Sequence, residues 1–359
     1  MNSHSHSHLH PHSHHSARSV AGWIVLFVVA LLTALYAWTF STHRRALSPF
    51  PACPYFVHKS WRQGKIGPGL YQTLTRRVTH ARAAAAQQRC VVAMLMRNHG
   101  HQIIPVWRAQ WEPVLRTFAD YRIVIVENDS MDHTRTLLLQ WAREDERVSI
   151  LCPDGTVNSS TCRLGVYTTP FQRTSPHPQK DTSDRRIELL ASFRNAYLQH
   201  IYDAFADFDY LLVCDPDLQG ERYEPGFWHA VLTLQTTPHL WGVSSYTLTP
   251  DGRPFDPFSY VAPHASPVSM TVSQKEQRDN SLTQQIRTRM AGAVTNVPVA
   301  SAFFGSCLYR LGPLVTYRPL YLFLPNAWVC EHATFHAQFP PRTMVMDPFW
   351  IMMLQKNLY

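Results

Sequence analysis

The feature that most constrains the fold is an alternation of short apolar runs and longer amphipathic stretches that starts near residue 89. Four apolar runs typical of buried strands lie at 90–96, 122–127, 148–151 and 210–214. Helical spacing is found at 103–118, 134–146 and 184–205. Because strands that alternate with helices build parallel β-α-β units, the sequence predicts an α/β fold. We expect a mainly parallel, Rossmann-like sheet with helices on both faces.

The chain before and after this alternation divides into segments of different character. Residues 1–20 begin with a histidine- and serine-rich stretch that predicts a disordered tail. Residues 21–40 carry no charge, and twenty helical residues span about 30 Å, so they predict an N-terminal transmembrane helix. A cleaved signal peptide is the alternative. We expect a stem at 41–88, the α/β domain at 89–345 and a tail at 346–359.

Charge and cysteine usage limit the partners of the chain. The net charge is +8 over 359 residues, which suits anionic lipids or phosphate-bearing substrates. The sequence has neither zinc-finger spacing nor a basic helix with interleaved aromatic residues, so we expect no nucleic-acid partner. None of the seven cysteines forms a CxxC pair, which argues against structural zinc. Cys152 and Cys162 flank a turn-rich segment and are either a disulfide or free thiols.

The strongest chemical signal is a pair of carboxylates, Asp215 and Asp217, that follows the buried strand YLLVC. Mg²⁺ and Mn²⁺ prefer oxygen ligands and bridge phosphate oxygens well. Because ligands of parallel sheets bind at the carboxyl ends of the strands, the pair is well placed for such an ion. The sequence therefore predicts a site for Mn²⁺ or Mg²⁺ at Asp215 and Asp217. A surface turn with a helix-capping aspartate is the alternative.

Two further polar groups lie on elements that lead to the same edge of the predicted sheet. Glu127 and Asp129 follow the second strand and are candidates for nucleotide contact, with helix capping as the alternative for this segment. Arg186 and Arg194 lie on the helix at 184–205. A guanidinium suits phosphate geometry, so these arginines are candidates for binding a diphosphate, and a solvated helix face is the alternative.

The last third of the chain contributes several candidates. His332 and His336 share one face of a helix, and one imidazole can complete a metal shell begun by the aspartates. Packed structural histidines are the alternative, and the order Glu-His-x-x-x-His does not match the zinc-hydrolase motif. Asp256 is a candidate acceptor-binding carboxylate, and Asp256 and Glu331 are candidate general bases. Gly305 is expected to allow close approach at the floor of an acceptor pocket.

Five segments together resemble the GT-A glycosyltransferases, and above all the fungal capsule-associated α-1,3-mannosyltransferase family. They are VVAMLMRNH, IVIVENDSMDHT, RRIELLASFRNAYL, YLLVCDPDL and CEHATFH. The resemblance implies a GT-A fold, a nucleotide-sugar donor (GDP-mannose or a UDP-sugar), Mn²⁺ or Mg²⁺, a glycan acceptor and a Golgi type II topology with a lumenal domain. Motif by motif, the resemblance assigns Asp215 and Asp217 to the metal and Glu127 and Asp129 to the nucleotide. It also assigns Arg186 and Arg194 to the arginine-bearing helix and His332 or His336 to the late histidine.

The residues and the resemblance predict metal-assisted sugar transfer, with the leaving diphosphate assisted by Arg194 or Arg186. The resemblance implies retention of configuration, which needs no dedicated protein base. A metal-dependent phosphoesterase or nucleotidyltransferase shares the paired aspartates and remains an alternative, as does a catalytically inactive membrane-anchored binding protein. P-loop and dinucleotide-binding glycine motifs do not occur.

Overall fold

A computed structural model describes part of the chain. The described ranges are 68–128, 130–152, 156–158, 184–218, 220–222, 224–249, 253–263, 295–324 and 330–354, with five positions between 281 and 288. The predicted tail, membrane anchor and most of the stem therefore lie outside the described residues. Within these ranges no helix has both the length and the apolar character needed to cross a membrane.

The described residues form a nine-stranded sheet and seven helices. The strands are β1 Arg89–Met96, β2 Asp120–Glu127, β3 Val148–Leu151, β4 Tyr210–Cys214, β5 Gly220–Arg222, β6 Gly242–Leu248, β7 Val297–Val299, β8 Ser306–Arg310 and β9 Met344–Leu354. The helices are α1 Pro68–Ala85, α2 Gly100–Leu115, α3 Thr134–Glu144, α4 Asp184–Ala204, α5 Glu224–Thr236, α6 Leu311–Tyr317 and α7 Glu331–His336, with a 3₁₀ turn at Pro257–Ser259. All four strands and all three helices of the predicted alternation are present.

The sheet is mixed rather than mainly parallel. Its order is β3-β2-β1-β4-β8-β6-β9-β5, with β7 paired to β9. The first four strands are parallel, as predicted, but β8 pairs antiparallel with both β4 and β6. The expectation of a mainly parallel sheet therefore holds for the first four strands and for β6 with β9, and it fails where β8, β5 and β7 pair antiparallel. The antiparallel pairing arises because β8 returns beside β4 from far along the chain, and such a pairing has no local sequence signature.

Helices cover both faces of the sheet, as predicted. Alternate residues of β1 point to opposite faces, so that Val91 belongs to one apolar core and Val92 to the other. Tyr197 of α4 packs in the first core, together with residues of α6 and α7. Trp107 of α2 and Trp141 of α3 pack in the second core, which residues of α5 complete. The alternation of buried side chains thus fixes which helices lie over the site-bearing face.

Strand β9 corrects the predicted C-terminal boundary. The tail expected from residue 346 is, as far as Leu354, a strand that pairs parallel with β6. Its side chains Met346, Trp350 and Ile351 are buried in the two cores. The segment is therefore part of the domain, because its apolar residues are needed to fill both faces of the sheet.

The described cysteines differ in oxidation state. Cys90, Cys214, Cys307 and Cys330 are buried free thiols. Cys152 is disulfide-bonded, and its partner lies outside the described residues. The predicted alternatives for Cys152 are thus resolved in favour of a disulfide, whereas the pairing with Cys162 stays a prediction.

Candidate active site

The ends of three parallel strands meet at one edge of the sheet. Met96 at the end of β1 lies opposite Glu127 at the end of β2, and Ala93 lies opposite Val213 of β4. Asp215 follows β4 directly. Because parallel strands present their carboxyl ends together, the segments after β1, β2 and β4 form the rim of one cleft.

Arg194 links two acidic residues beneath this rim. Its Nε donates to Glu331 Oε1 at 2.8 Å, and its Nη2 lies 3.3 Å from Asp215 Oδ1. The guanidinium is buried, and it lies over the ring of Phe303 with 5.3 Å between Cζ and the ring centroid. Nη1 lies within hydrogen-bond distance of the Tyr197 hydroxyl, at 3.3 Å.

These contacts bear on two predicted roles. The guanidinium of Arg194 is engaged in a buried ion pair and holds Asp215 in place, and its role toward a donor diphosphate stays a prediction. The carboxylate of Glu331 is buried and shares that guanidinium. It is therefore poorly suited to take a proton from an acceptor, and Asp256 is the stronger of the two candidate bases.

The pKa values of the two aspartates after β4 are both raised, chiefly by removal from water. Removal from water raises the pKa of Asp215 to about 6, with Arg194 opposing the rise and Asp217 adding to it. Asp217 is exposed at the rim, yet the pKa of its carboxyl is also raised, again by partial removal from water, while Arg186 and Arg194 oppose the rise. Raised carboxylate pKa values in a cleft are a mark of functional sites.

Asp256 joins this cluster from the loop after β6. Its pKa is raised to about 7 by burial and by the negative charges of Asp215 and Glu331, against the opposing charge of Arg186. Its backbone has φ 48° and ψ 61°, in the left-handed region. The structure thus brings the predicted residues Asp215, Asp217, Asp256, Glu331, Arg186 and Arg194 into one cluster whose charges act on one another.

The aspartate pair fits a divalent cation, provided that a substrate supplies further ligands. Within the described ranges no three His, Cys, Asp or Glu side chains converge to hold a metal ion by themselves. Mg²⁺ is commonly held by one or two carboxylates together with substrate phosphates. Mutual repulsion between Asp215 and Asp217 contributes to the raised pKa of Asp215, and a bound cation would remove this excess charge. The donor set is therefore that of a cation site shared with a phosphate ligand.

The two late histidines have different surroundings. His336 has both ring nitrogens occupied, with Nδ1 2.7 Å from Ser301 Oγ and Nε2 2.7 Å from the Tyr309 hydroxyl. Its predicted role as a metal ligand does not fit, because no lone pair is left for a metal. His332 is buried and stacks on Phe303 with 3.6 Å between ring centroids. Neither nitrogen of His332 has a hydrogen-bond partner in the described part of the chain, so its predicted site role stays open.

Glu127 holds the loop after β2. Its Oε2 accepts from Arg135 Nε at 2.7 Å, its Oε1 accepts from the Ser130 backbone at 2.8 Å, and the residue has no exposed surface. The predicted nucleotide contact does not fit Glu127, because both oxygens are used and solvent cannot reach them. Asp129, its predicted partner in that role, lies outside the described residues.

The same loop interlocks with the segment after β1. Asp132 accepts from the backbone N–H groups of Thr134 at 3.0 Å and Gly100 at 3.2 Å, so it binds the first turns of both α3 and α2, as capping predicts. Ser130 Oγ accepts from the backbone N–H of Asn98 at 3.0 Å, and Asn98 Oδ1 accepts from the backbone N–H of Met131 at 2.9 Å. These bonds make a rigid wall on the β1–β2 side of the cleft.

Two residues after β1 belong to the rim and were not predicted. Arg97 Nε is buried without a hydrogen-bond partner among the described residues, which makes this atom a candidate for contact with an anionic ligand. Burial lowers the pKa of His99, although the negative charges of Asp132 and Asp215 oppose this. The rule that ligands bind where parallel strands end could have found both, because they follow β1 as Asp215 follows β4.

Gly305 supports the segment that follows β4 and lies close to Leu218, whereas its predicted place in the floor of an acceptor pocket stays a prediction. Its carbonyl accepts from the Asp215 backbone N–H at 2.8 Å. Its φ is +82°, and a Cβ at this position would overlap Cδ1 of Leu218. Only glycine satisfies both the backbone conformation and the packing here.

Comparison with known proteins gives one family match. Residues 89–215 match the family described as Cryptococcal mannosyltransferase 1. A search of curated proteins found no match. A crystal structure of a mycobacterial protein is similar with TM-score 0.43 and 12% identity, covering 78% of this chain and 72% of that one. Glucosyl-3-phosphoglycerate synthase from Mycobacterium tuberculosis, in complex with Mn²⁺ and UDP-glucose, has TM-score 0.41 and 11% identity, covering 77% and 73%.

The family match covers β1 to β4 and ends at Asp215, the first residue of the aspartate pair. It therefore includes the parallel half of the sheet and helix α4 with Arg194. Of the five segments that suggested the resemblance, three lie completely within the match and most of a fourth does. The resemblance inferred from the sequence is confirmed: from residue 89 to residue 215 this chain matches the family of the cryptococcal mannosyltransferase.

Proposed function

We propose that the chain is a metal-dependent glycosyltransferase that moves a sugar from a nucleotide-sugar donor to a glycan acceptor. The observation that carries this proposal is the pair Asp215 and Asp217 at the carboxyl end of β4, where Arg194 holds Asp215. The family match over 89–215 supports sugar transfer as the reaction.

The proposed donor is GDP-mannose, with a UDP-sugar as the alternative. The description of the matching family, a mannosyltransferase, supports mannose as the transferred sugar. On the donor side of the cleft Arg97 offers a guanidinium for the nucleotide or its phosphates. Arg186 adds positive charge near Asp217 and Asp256. Arg97 thus joins Arg186, which keeps the phosphate-binding role that was predicted for it.

Asp215 and Asp217 would hold Mn²⁺ or Mg²⁺ together with phosphate oxygens of the donor. When bound, the cation supplies electrostatic stabilisation of the leaving diphosphate. Arg194 keeps Asp215 oriented through its contact at 3.3 Å. On the acceptor side Asp256 offers a carboxyl group to an incoming hydroxyl. Retention of configuration is proposed from the resemblance, and an inverting enzyme would use Asp256 as its base.

The direct test is donor turnover by the full-length chain in detergent, with GDP-mannose and UDP-glucose, in Mn²⁺, Mg²⁺ or EDTA. We expect sugar transfer or donor hydrolysis that EDTA abolishes and that the double variant Asp215→Ala, Asp217→Ala lacks. Asp207→Asn is the matched control, since it removes an exposed carboxylate that pairs with Arg89 at the opposite end of the sheet. Full activity in the double variant, or release of phosphate without sugar transfer, would contradict the proposal.

We also propose that residues 21–40 anchor the chain in the Golgi membrane, with the α/β domain in the lumen. The absence of charge over these twenty residues supports the anchor, and the disulfide of Cys152 suits an oxidising compartment. Exposed Asn158 begins the acceptor sequence Asn-Ser-Ser for N-glycosylation. A lumenal domain should lose mass on glycosidase treatment, and Asn158→Gln should remove that shift. Digestion of the domain in sealed vesicles by added protease would oppose this topology.

A further inference from the structure

A continuous chain of buried hydrogen bonds runs from β8 to the 3₁₀ turn through α7. The hydroxyl of Tyr309 lies 2.7 Å from His336 Nε2, and His336 Nδ1 lies 2.7 Å from Ser301 Oγ. Ser301 Oγ donates to the backbone carbonyl of Ser259 at 2.8 Å. All four residues are buried, so no water competes for these bonds.

The directions of the bonds follow from the number of protons available. The Ser301 hydroxyl gives its single proton to the Ser259 carbonyl, so it must accept from His336 Nδ1–H. The other ring nitrogen, Nε2, then accepts from the Tyr309 hydroxyl. Burial lowers the pKa of His336 to about 3, so the neutral ring that this arrangement requires is the form present at neutral pH. One tautomer and one ring orientation satisfy every member, which makes the chain rigid.

The chain of bonds ends on the loop that carries Asp256. Ser259 Oγ donates to the Asp256 carbonyl at 2.9 Å and accepts from the backbone of Phe303 at 3.2 Å and Phe304 at 3.3 Å. Asp256 lies in the left-handed region, which is strained for a residue other than glycine. Such a conformation persists only where its surroundings fix it, and the bonds through Ser259 do so.

The fixed loop delivers Asp256 to the cleft opposite the aspartate pair. Asp256 is close enough to Asp215 and Glu331 for their charges to raise its pKa, and it is only half-buried. Asp215 and Glu331 are already bound to Arg194. Asp256 is therefore the carboxyl group of the cluster that is best placed to meet a second substrate.

We propose that Tyr309, His336, Ser301 and Ser259 form a positioning network that holds Asp256 where its carboxyl group binds a hydroxyl group of the glycan acceptor. This inference rests on the proposed function, and it gives His336 a positioning role in place of metal binding. No member of the network forms a hydrogen bond with Asp215 or Asp217 among the described residues, so we expect its main effect on the acceptor side.

The test compares Tyr309→Phe and Ser301→Ala, each of which removes one hydroxyl group, in the full-length chain. We expect KM for the acceptor to rise about 3- to 10-fold, since one buried hydrogen bond contributes about 1 kcal/mol. KM for the donor and metal-dependent donor hydrolysis should stay unchanged. Asp256→Asn should raise acceptor KM further, and the combination Asp256→Asn with Tyr309→Phe should be less than additive, because both act on one contact.

Tyr202→Phe is the matched control. It removes a buried tyrosine hydroxyl on the same face of the sheet, bonded at 3.0 Å to the Pro319 carbonyl. It should lower stability about as much as Tyr309→Phe, yet leave acceptor KM unchanged. The network variants could show normal donor hydrolysis and acceptor KM values no higher than that of Tyr202→Phe. This result would overturn the inference about the network but not the proposed function. A wild-type chain that turns over no nucleotide sugar would overturn the proposed function and the inference with it.

Discussion

On the two walls of the cleft, the pKa values of the carboxyl groups are shifted in opposite directions. On the β1–β2 wall, burial raises the pKa of Asp132, but hydrogen bonds from Thr134 and Gly100 outweigh it and lower the pKa overall. On the β4 wall, which is the segment after β4, burial and neighbouring charge raise the pKa of Asp215, and they also raise the pKa of Asp256 on the loop after β6. Both walls are acidic segments that follow strands, so the sequence alone makes them look alike. The supply of donors separates a carboxylate that builds a loop from one that is left for chemistry.

The largest expected effect tests whether Arg194 belongs to the architecture of the β4 wall. Arg194→Met should lower the free energy of unfolding by about 3–5 kcal/mol, because it leaves the buried carboxylate of Glu331 without its partner. Denaturant unfolding followed by tryptophan fluorescence measures this loss. Arg318→Met, which breaks an exposed pair with Asp203, is the control and should cost at most about 1 kcal/mol. Equal small losses in both variants would show that Glu331 does not depend on Arg194.

Next in size is the activity loss at the exposed member of the pair. Asp217→Asn should lower kcat by about 100-fold or more, because the cation loses a charged ligand, while the fold stays intact. Steady-state kinetics at saturating Mn²⁺ and circular dichroism measure the two effects. Asp207→Asn should change neither. An Asp217→Asn enzyme with near-normal kcat would remove the functional distinction between the two walls.

A smaller effect on stability is expected at Glu127 on the β1–β2 wall. Glu127→Gln should lower stability by about 1–3 kcal/mol, since Arg135 loses a charged partner, with little change in kcat or donor KM of the folded protein. Thermal unfolding and donor titration check the two halves of this expectation. If stability were kept and donor KM rose strongly, Glu127 would touch the nucleotide after all, as the sequence first suggested.

The smallest effect is a change in the pH dependence of stability. The folded chain binds the Asp256 proton more tightly than the unfolded chain, so this group stabilises the fold below about pH 4 and loses that contribution as pH rises to about 7. Asp256→Asn should therefore become more stable relative to wild type at pH 7.5 than at pH 4.5, without added metal. Paired melting curves at the two pH values measure the difference. A difference that stays constant with pH would mean that Asp256 titrates normally.

The sequence predicted the parallel half of the sheet and the location of the aspartate pair. Short uninterrupted apolar runs such as 210–214 favour buried strands, and the rule of strand ends then predicts that Asp215 lies at a ligand-binding edge. It could not give the partner of Arg194, because Glu331 is 137 residues away in the chain. It assigned β9 to a tail, because an apolar run after a proline close to the C-terminus has no helix or turn to mark it.

The polar partners of His336 and Glu127 were equally hidden. A histidine four residues from another suits either a metal or two hydroxyl groups, and only the fold brings Tyr309 to its ring. Glu127 is saturated by Arg135, eight residues later on the first turn of α3. Saturation of a carboxylate depends on which side chains meet in space, and local patterns of residue type do not encode it.

Gly305 has a consequence for how this domain can evolve or be engineered. Any side chain there collides with Leu218, and trimming Leu218 would relieve the collision but not the positive φ. The same peptide carries the hydrogen bond from Asp215, so a shift to accommodate a new residue would displace the aspartate pair. In a library randomised over 301–309 and selected for turnover, survivors should retain glycine at 305 while their neighbours diverge.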